Sequence, residues 1–310
     1  MVTMIAQKEQ MDGQDWSLLL VLSILWGGSF FFNGIALREL PPLTLVLLRV
    51  VMAAAILLPV LHLRGLRLPK DVAGWRPFVA VALFNNVVPF SLIVVGQTFI
   101  SSGLAAVLNA TTPLFTILVM VAAGDEMLSA RRVGGVLAGL IGVVILRGAP
   151  GLDHSGSGIG IMLGLAACMS YGVAALLARR YLAHSPPLAT ATCQLVASSV
   201  MMLAIAGVAD RPWTLAMPGL PTWLAISGLA TLSTALAYIL FFNILRRSGA
   251  TNVMLVTLLV PITAILLGSL VLGESLSSRE IIGALVIGSG LLIIDGRIFR
   301  VLRVAARPNT

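Results

Sequence analysis

The sequence predicts an all-α polytopic membrane protein with ten transmembrane helices, arranged as two inverted five-helix repeats. Composition is the first observation behind this fold class. Of the 310 residues 58% are hydrophobic and only 10% are charged, with a mean hydropathy of +1.03, whereas soluble domains carry roughly 25% charged residues. The other two observations are apolar stretches long enough to cross a bilayer and an alignment of one half of the chain onto the other.

Most predicted spans contain about 20 mostly apolar residues, and Pro, Gly or charged clusters separate them. The polar segment 1–15 precedes a first stretch without a small-residue cleavage site, so we expect a retained helix rather than a signal peptide. The first repeat covers 16–147, a Gly- and Ser-rich linker 148–158, the second repeat 159–295, and a basic tail 296–310. The predicted spans are 16–37, 43–63, 77–96, 102–122, 133–146, 159–181, 188–208, 222–245, 252–272 and 279–294.

The basic residues predict the orientation of the chain in the membrane. The net charge of +8 could suggest nucleic acid, but these residues occupy short loops and the tail, so we expect no nucleic-acid partner. With a cytoplasmic N-terminus, fifteen of the twenty Lys and Arg residues fall in inside segments, which predicts that both termini are cytoplasmic. The outside segments hold only Arg38, Arg147, Arg211 and Arg279.

The internal repeat is the strongest pattern in the chain. Residues 75–147 align without a gap onto 223–295, and the Pro-Pro-Leu turn that begins at Pro41 recurs at Pro186. Because each copy holds five spans, an odd number, the second copy enters the membrane from the opposite face. An inverted repeat of this kind is typical of transporters.

Several short motifs connect the chain to a known family. Arg49 follows two leucines in the second span, and Gly124-Asp125-Glu126-Met127-Leu128 precedes a glycine-rich helix, with Gly273-Glu274-Ser275-Leu276 as its counterpart. With ten spans in two halves, the chain resembles the EamA branch of the drug/metabolite transporter superfamily, most of all bacterial YddG-type exporters of aromatic and other neutral amino acids. The resemblance implies an inner-membrane location and a central cavity lined by helices 1, 3, 4, 6, 8 and 9.

Two repeat-matched prolines are candidate markers of that cavity. Pro113 and Pro261 fall near the middles of spans 4 and 9, where each removes a helical hydrogen bond and frees the carbonyl four residues earlier. Those carbonyls belong to Asn109 and Thr257, which we predict as substrate-binding positions. The alternative is that both prolines only kink their helices for packing.

Polar and aromatic side chains inside the spans are the other predicted substrate ligands. Asn85 and Asn86 lie near the middle of span 3, and an interhelical hydrogen bond is their alternative role. Trp26 and Tyr171 are repeat-matched aromatics, and Tyr238 lies near the middle of span 8. These three could instead serve packing.

Charged residues in or near the spans are predicted to be structural. Arg49 is the only charge well inside a span, and snorkelling or pairing with Glu39 would satisfy it. Glu126 and Glu274 stand just before helices and are expected to cap them. The remaining amides lie closer to helix ends or on peripheral helices, where interfacial hydrogen bonds explain them: Asn33, Gln97, Gln194 and Asn243.

Small residues are predicted to bring helices together. The glycines of spans 5 and 10 favour close packing between the two halves or, as an alternative, a dimer; a monomer is slightly favoured. Cys168 and Cys193 lie in apolar stretches without a metal-binding spacing, so we expect packing roles. Four arginines at helical spacing in the tail predict a basic face on anionic lipid: Arg297, Arg300, Arg303 and Arg307.

The residue types missing from the spans restrict the function. No Asp or Glu lies mid-span, which argues against tight proton coupling through a membrane carboxylate and favours facilitated export. The predicted cavity also lacks Lys and Arg, which disfavours phosphorylated sugars and favours a neutral or zwitterionic substrate. The three His residues lie in loops and there is no HExxH motif, so we expect neither an enzyme nor a cofactor or metal. Another neutral metabolite or drug, with or without proton coupling, and a scaffold or receptor remain alternatives.

Overall fold

The computed structural model describes residues 12–127, 129–147, 157–253 and 255–295, and within these ranges it is helical without strands. The predicted N-terminal segment up to residue 11, most of the linker and the basic tail lie outside the described residues. We number the principal helices in chain order and join pieces that continue through a π turn or a short break. They are α1 Gly13–Ala36, α2 Pro42–Leu63, α3 Val72–Gly96, α4 Ser102–Ala122, α5 Ala130–Arg147, α6 Ser157–Tyr181, α7 Pro187–Ala209, α8 Leu220–Leu245, α9 Val256–Leu272 and α10 Ser278–Asp295.

These helices match the predicted spans in order and approximate position. Seven of those described are long and apolar enough to cross a membrane, namely α1 to α4 and α6 to α8, and α9 is a shorter apolar helix. The fold is therefore that of a polytopic all-helical membrane protein. Ten membrane crossings stay a prediction.

Local sequence signals explain where several helices begin. Asp12 and Asp15 form a capping box at the start of α1, and the Asp71 side chain accepts a hydrogen bond from the Gly74 backbone, which starts α3 five residues before the predicted Pro77. Pro42 and Pro187 occupy the first turns of α2 and α7, where a missing N–H costs nothing.

Two π turns interrupt the helices at matched positions of the repeat, and the sequence analysis did not predict them. One covers Leu83–Val87 in α3 and the other Thr231–Leu236 in α8, and the repeat aligns residue 83 with 231. A π turn adds one residue to the helical register and re-aims the side chains around it. Both π turns carry polar side chains of the site described below.

The two prolines of the repeat have different effects. In α4 a first helical piece ends at Asn109 and a second begins at Thr112, so Pro113 lies in the first turn of a new piece. The carbonyl of Asn109 accepts a hydrogen bond of 2.7 Å from the Thr112 hydroxyl. The carbonyl freed by Pro113 is therefore satisfied by a side chain of its own helix. Pro261 lies inside the continuous helix α9.

The two halves are packed into one another. Helix α1 packs against α9 and α8, and its repeat counterpart α6 packs in the same way against α4 and α3. The counterparts α2 and α7 pack on each other. Helices α5 and α10 pack face to face: a Cβ atom on Gly135 would lie 2.7 Å from the Gly290 carbonyl oxygen, and one on Gly142 would lie 2.8 Å from that of Gly283. These glycines join the two halves of one chain, as predicted, so a dimer is not needed to explain them. Cys168 and Cys193 are buried and unpaired with each other.

The bundle has two ends, named here by residues. The Glu274 end holds the start of α4, the end of α9 and Glu274, and the charge pattern predicts that it faces outward. The Arg247 end holds the start of α1, the end of α8 and Arg247. Helix α9 packs along the Ser102–Asn109 piece of α4, and within the described residues its packing on Thr112–Ala122 is marginal. The repeat-related helices α4 and α9 therefore meet at the Glu274 end and diverge toward the Arg247 end.

Candidate functional site: a polar cluster inside the bundle

Arg49 lies at the centre of a polar cluster in the interior of the bundle. Its side chain is 7% exposed, its Nε donates a hydrogen bond of 3.0 Å to the Thr234 hydroxyl on α8, and its guanidinium carbon lies 3.8 Å from the centroid of the Phe90 ring. The expected snorkelling or pairing with Glu39 is wrong. Glu39 instead accepts a hydrogen bond of 2.8 Å from the Gly219 backbone, at the Glu274 end.

The two asparagines of the α3 π turn bind side chains of α7 and α8. Asn86 is completely buried; its Nδ2 donates to the Ser198 hydroxyl at 3.0 Å, and its Oδ1 accepts from the Tyr238 hydroxyl at 3.1 Å. Asn85 Nδ2 donates to Gln194 Oε1 at 2.9 Å. Both asparagines therefore form the interhelical hydrogen bonds that were their alternative role. Gln194, expected to be interfacial, belongs to the same interior cluster.

In both halves the cluster connects the second helix of the repeat to a π turn of the other half, through π-turn residues that differ by one position in the alignment. The offset that relates Pro41 to Pro186 also relates Arg49 to Gln194, and the offset of the longer alignment relates Asn85 to Ser233 and Asn86 to Thr234. Arg49 on α2 thus binds the π turn of α8, and its counterpart Gln194 on α7 binds the π turn of α3. One interaction has a charged member and the other is neutral.

The predicted aromatic residues surround this cluster. Tyr171 and Tyr238 both pack against the apolar core that contains Phe90, the ring beneath Arg49, and Tyr171 packs against the other large core as well. Trp26, the repeat partner of Tyr171, stacks on Phe241 of α8 with ring centroids 5.5 Å apart. The predicted aromatic residues are therefore partly buried side chains between the halves.

Asn109 has an amide oxygen without a hydrogen-bond partner. Its Oδ1 is buried and unpaired within the described part of the chain, although buried amide oxygens are normally bonded. Its backbone carbonyl lies 3.9 Å from Cys168 Sγ on α6, which is one helical turn from Tyr171 on the same helix. Asn109 therefore lies beside the α6 face that carries Tyr171. Thr257 is partly buried on α9.

A chain of hydrogen bonds crosses the Glu274 end. Asn33 Nδ2 donates to Gln97 Oε1 at 2.8 Å, and Gln97 Nε2 lies 3.3 Å from the Ser102 hydroxyl. Glu274 then accepts from the Ser102 backbone at 3.0 Å and from its hydroxyl at 2.9 Å. These contacts join α1, α3, α4 and the loop before α10, so Asn33 and Gln97 connect helices.

The two predicted capping glutamates differ in role. Glu274 does accept from a helix N-terminus, but from that of α4 in the other half, while Ser277 and Glu280 cap α10. Glu126 forms ion pairs with Arg132 at 2.8 Å and Arg179 at 3.4 Å. The expectation that it caps the next helix is wrong, because Ser129 accepts the hydrogen bond from the Arg132 backbone.

The cluster offers amide, hydroxyl, aromatic and guanidinium groups, which can bind a small polar solute. Within the described ranges, no group of three or more His, Cys, Asp and Glu residues could hold a metal ion. Ser198 and Thr234 belong to the cluster although neither residue is among the predicted ligands. The interior positions of Gln194 and Arg49 differ from the predictions, which placed Gln194 at an interface and expected no Lys or Arg near the cavity. The repeat alignment carried the missing signal, because it relates Gln194 to Arg49 and Thr234 to Asn86.

The chain is similar to several known transporters along most of its length. It is 30% identical over 270 residues to the uncharacterized inner membrane transporter YedA of Escherichia coli, covering 84% of each chain. It is 24% identical to the uncharacterized transporter YoaV of Bacillus subtilis, over 89% of this chain and 94% of that one. A probable amino-acid metabolite efflux pump of Escherichia coli is 25% identical, over 91% and 95% of the two chains.

A solved crystal structure superposes on this chain with a TM-score of 0.64 and 19% identity, over 94% of this chain and 99% of the other. That likeness supports the fold. The model of the EamA-like transporter family matches residues 16–148 and 158–295, which correspond to the two halves predicted from the internal repeat. The chain therefore belongs to the EamA-like transporter family, within the drug/metabolite transporter superfamily.

Proposed function

We propose that this protein exports neutral amino acids, aromatic or otherwise apolar, or closely related small metabolites across a bacterial inner membrane by alternating access. One observation carries the mechanism: the repeat-related helices α4 and α9 meet at the Glu274 end and diverge toward the Arg247 end. An inverted repeat can adopt the same arrangement in either direction, so the reverse closure is available to the same chain. The described conformation is then one of two transport states.

The substrate class is inferred from the chemistry of the interior. Trp26, Tyr171 and Tyr238 supply apolar surfaces with polar edges, which suit an aromatic or aliphatic side chain. Asn85 and Asn109 supply amide groups for the polar part of the substrate. One relative is named a probable amino-acid metabolite efflux pump, and this agrees with a zwitterionic substrate. Thr257 is retained as a candidate ligand on the α9 side.

Facilitated export is the simplest energetic scheme for this interior. In the described part of the chain, carboxylates bind helix termini or basic residues at the two ends of the bundle, and none of the ion pairs includes a residue of the Arg49 cluster. A proton relay would need a titratable group along the route. Transport should therefore proceed down a substrate gradient without an imposed pH gradient.

Reconstitution into liposomes tests the activity directly. Purified protein should take up labelled Phe, Trp, Leu or Thr in preference to a sugar phosphate, and an imposed pH gradient should change the final level little. Liposomes without protein are the control. No amino acid uptake above that control would reject the proposal, and strict dependence on a pH gradient would reject the facilitated scheme.

Cysteine labelling tests alternating access. Asn109→Cys is introduced after Cys168→Ala and Cys193→Ala, which remove two buried native thiols. Membrane-impermeant reagents should reach the new thiol from the Arg247 end in the described state, and from the Glu274 end in the other. Substrate should shift the ratio of the two labelling rates. A thiol that reacts from one face only, with and without substrate, would indicate a fixed scaffold.

A further inference from the structure

The buried guanidinium of Arg49 has no negative partner in the described part of the chain. Its hydrogen bond runs from Nε to the neutral Thr234 hydroxyl, and its other close neighbour is the Phe90 ring. None of the ion pairs formed by the described residues includes Arg49. A charge held inside a membrane bundle without a counter-ion is costly, and such residues commonly serve the transported solute.

Structural support alone does not explain the charge. Gln194 occupies the equivalent position in the second half and binds the equivalent π turn through Asn85. A neutral side chain therefore makes the same interhelical connection in the same molecule. The charge of Arg49 is not needed for that connection. It gives the first half of the interior an attraction for a negatively charged group that the second half lacks.

We propose that Arg49 binds the carboxylate of the transported amino acid and that Asn109 Oδ1 accepts a hydrogen bond from its ammonium group. This inference rests on the proposed function and specifies which parts of the substrate the site recognises. The guanidinium has five N–H donors, and those on its two terminal nitrogens can bind a carboxylate with two parallel hydrogen bonds. The hydrogen bond from Arg49 to Thr234 uses Nε, not a terminal nitrogen.

Helix α6 connects the two groups. Cys168 lies against the Asn109 carbonyl, and Tyr171, one turn further on the same face, packs against the apolar core that contains Phe90, the ring beneath the Arg49 guanidinium. Asn109, whose side-chain oxygen is unpaired, and the Phe90 ring beneath the guanidinium thus both belong to helices that pack against α6. A zwitterion lying along Tyr171 would meet a donor at one position and an acceptor at the other.

The test compares substrates that differ only in the carboxylate. Phenylalanine, phenylalaninamide and phenethylamine are offered to the wild-type protein and to Arg49→Gln, which places the side chain of Gln194 at position 49. Loss of a charge-assisted hydrogen-bonded pair should lower phenylalanine transport by about tenfold or more. Transport of the two carboxylate-free analogues by Arg49→Gln should stay within about twofold of the wild-type rate, so that the variant no longer prefers phenylalanine.

Two further variants separate recognition from folding. Arg49→Lys keeps the charge and should retain part of the preference for phenylalanine. Ser198→Ala removes a hydroxyl from the same cluster without a change of charge, and it should affect all three substrates alike. Thermal unfolding and size-exclusion profiles show whether each variant is folded.

The outcomes distinguish this inference from the proposed function. Equal losses for the acid and its analogues in Arg49→Gln would mean that Arg49 is structural and would overturn the proposal. If Arg49→Gln does not fold, the wild-type protein alone still tests the proposal. Transport of phenylalaninamide by the wild type as fast as phenylalanine would overturn it. Preferred transport of a sugar phosphate would also overturn it. Absence of all amino acid uptake in the wild type would reject the proposed function itself.

Discussion

The two ends of the bundle join the same two halves by different kinds of interaction. At the Glu274 end three carboxylates bind helix N-termini of the opposite half: Glu39 at α8, Asp210 at α2 and Glu274 at α4. At the Arg247 end arginines of the second half pair with acidic residues of the first half, namely Arg247 with Asp15, Arg180 with Asp125 and Arg179 with Glu126. The two halves are joined by capping at one end and by ion pairs at the other.

This difference has a consequence for which end can open. A carboxylate at a helix N-terminus satisfies backbone N–H groups that have no partner within the helix, and it also interacts with the helix dipole. Exposed ion pairs contribute less, because water and salt screen them. We therefore expect the Glu274 end to be the firmer closure of the described state, and four predictions test that comparison in order of expected effect.

Removal of the Glu274 carboxylate should have the largest effect. Glu274→Ala leaves the Ser102 backbone and hydroxyl without their acceptor and should lower stability by about 1–2 kcal/mol. The repeat-matched control Glu126→Ala loses only exposed ion pairs and should cost less than about 0.5 kcal/mol. Thermal unfolding in detergent measures both. Similar losses in the two variants would contradict the distinction between the ends.

The Arg247 end contains one stronger connection, which should give the second largest effect. Asp15 is completely buried, and Arg247 Nε lies 3.0 Å from its Oδ1. Arg247→Ala should cost about 1 kcal/mol, because a buried acceptor loses its partner, while Arg247→Lys should cost less. An Arg247→Ala protein as stable as the wild type would show that water replaces the arginine fully.

The pair of Arg180 and Asp125 should contribute less. The two side chains are 2.7 Å apart but remain 43% and 22% exposed, and hydrogen bonding to Arg180 lowers the pKa of Asp125. Arg180→Ala should change stability by less than about 0.5 kcal/mol, and the difference should vanish in high salt. Unfolding curves at low and high ionic strength measure this. A loss that high salt does not reduce would place this pair with the buried contacts.

Acidification should weaken the Glu274 end through Glu39. Hydrogen bonds from Thr222 and the Gly219 backbone lower the pKa of Glu39 below its usual 4.5. A carboxyl group whose pKa is lower in the folded state stabilises that state fully at pH values above its ordinary pKa. The contribution is lost as the pH falls through the folded-state pKa. The difference in melting temperature between the wild type and Glu39→Gln should therefore be full at pH 7 and shrink below about pH 4. A difference that grows on acidification would reverse the assigned sign.

Much of the fold follows from local sequence signals. Prolines at 42 and 187, caps such as Asp71 and the apolar lengths locate the helices, and the matched glycines predict the α5 and α10 packing. These features depend on neighbouring residues or on the repeat. Sequence reasoning recovers them because the physical cause lies within one turn of the chain or one repeat offset.

The site was less predictable because its contacts join distant helices. Glu274 caps a helix 172 residues away, and no local pattern distinguishes that partner from the next helix in the chain. The interior position of Gln194 does not follow from the sequence of its own helix. It follows from the repeat alignment, which relates Gln194 to Arg49. The π turns have no simple sequence signature, and they re-aim Asn85 and Asn86 relative to a regular helix.

The matched π turns also bear on the history of the molecule. Each adds one residue to its helix, and the two additions fall at aligned positions 83 and 231. A single insertion in an ancestral five-helix unit, made before duplication, accounts for both. The two halves therefore share the bend that shapes the interior and differ in its charge, with Arg49 in one half and Gln194 in the other.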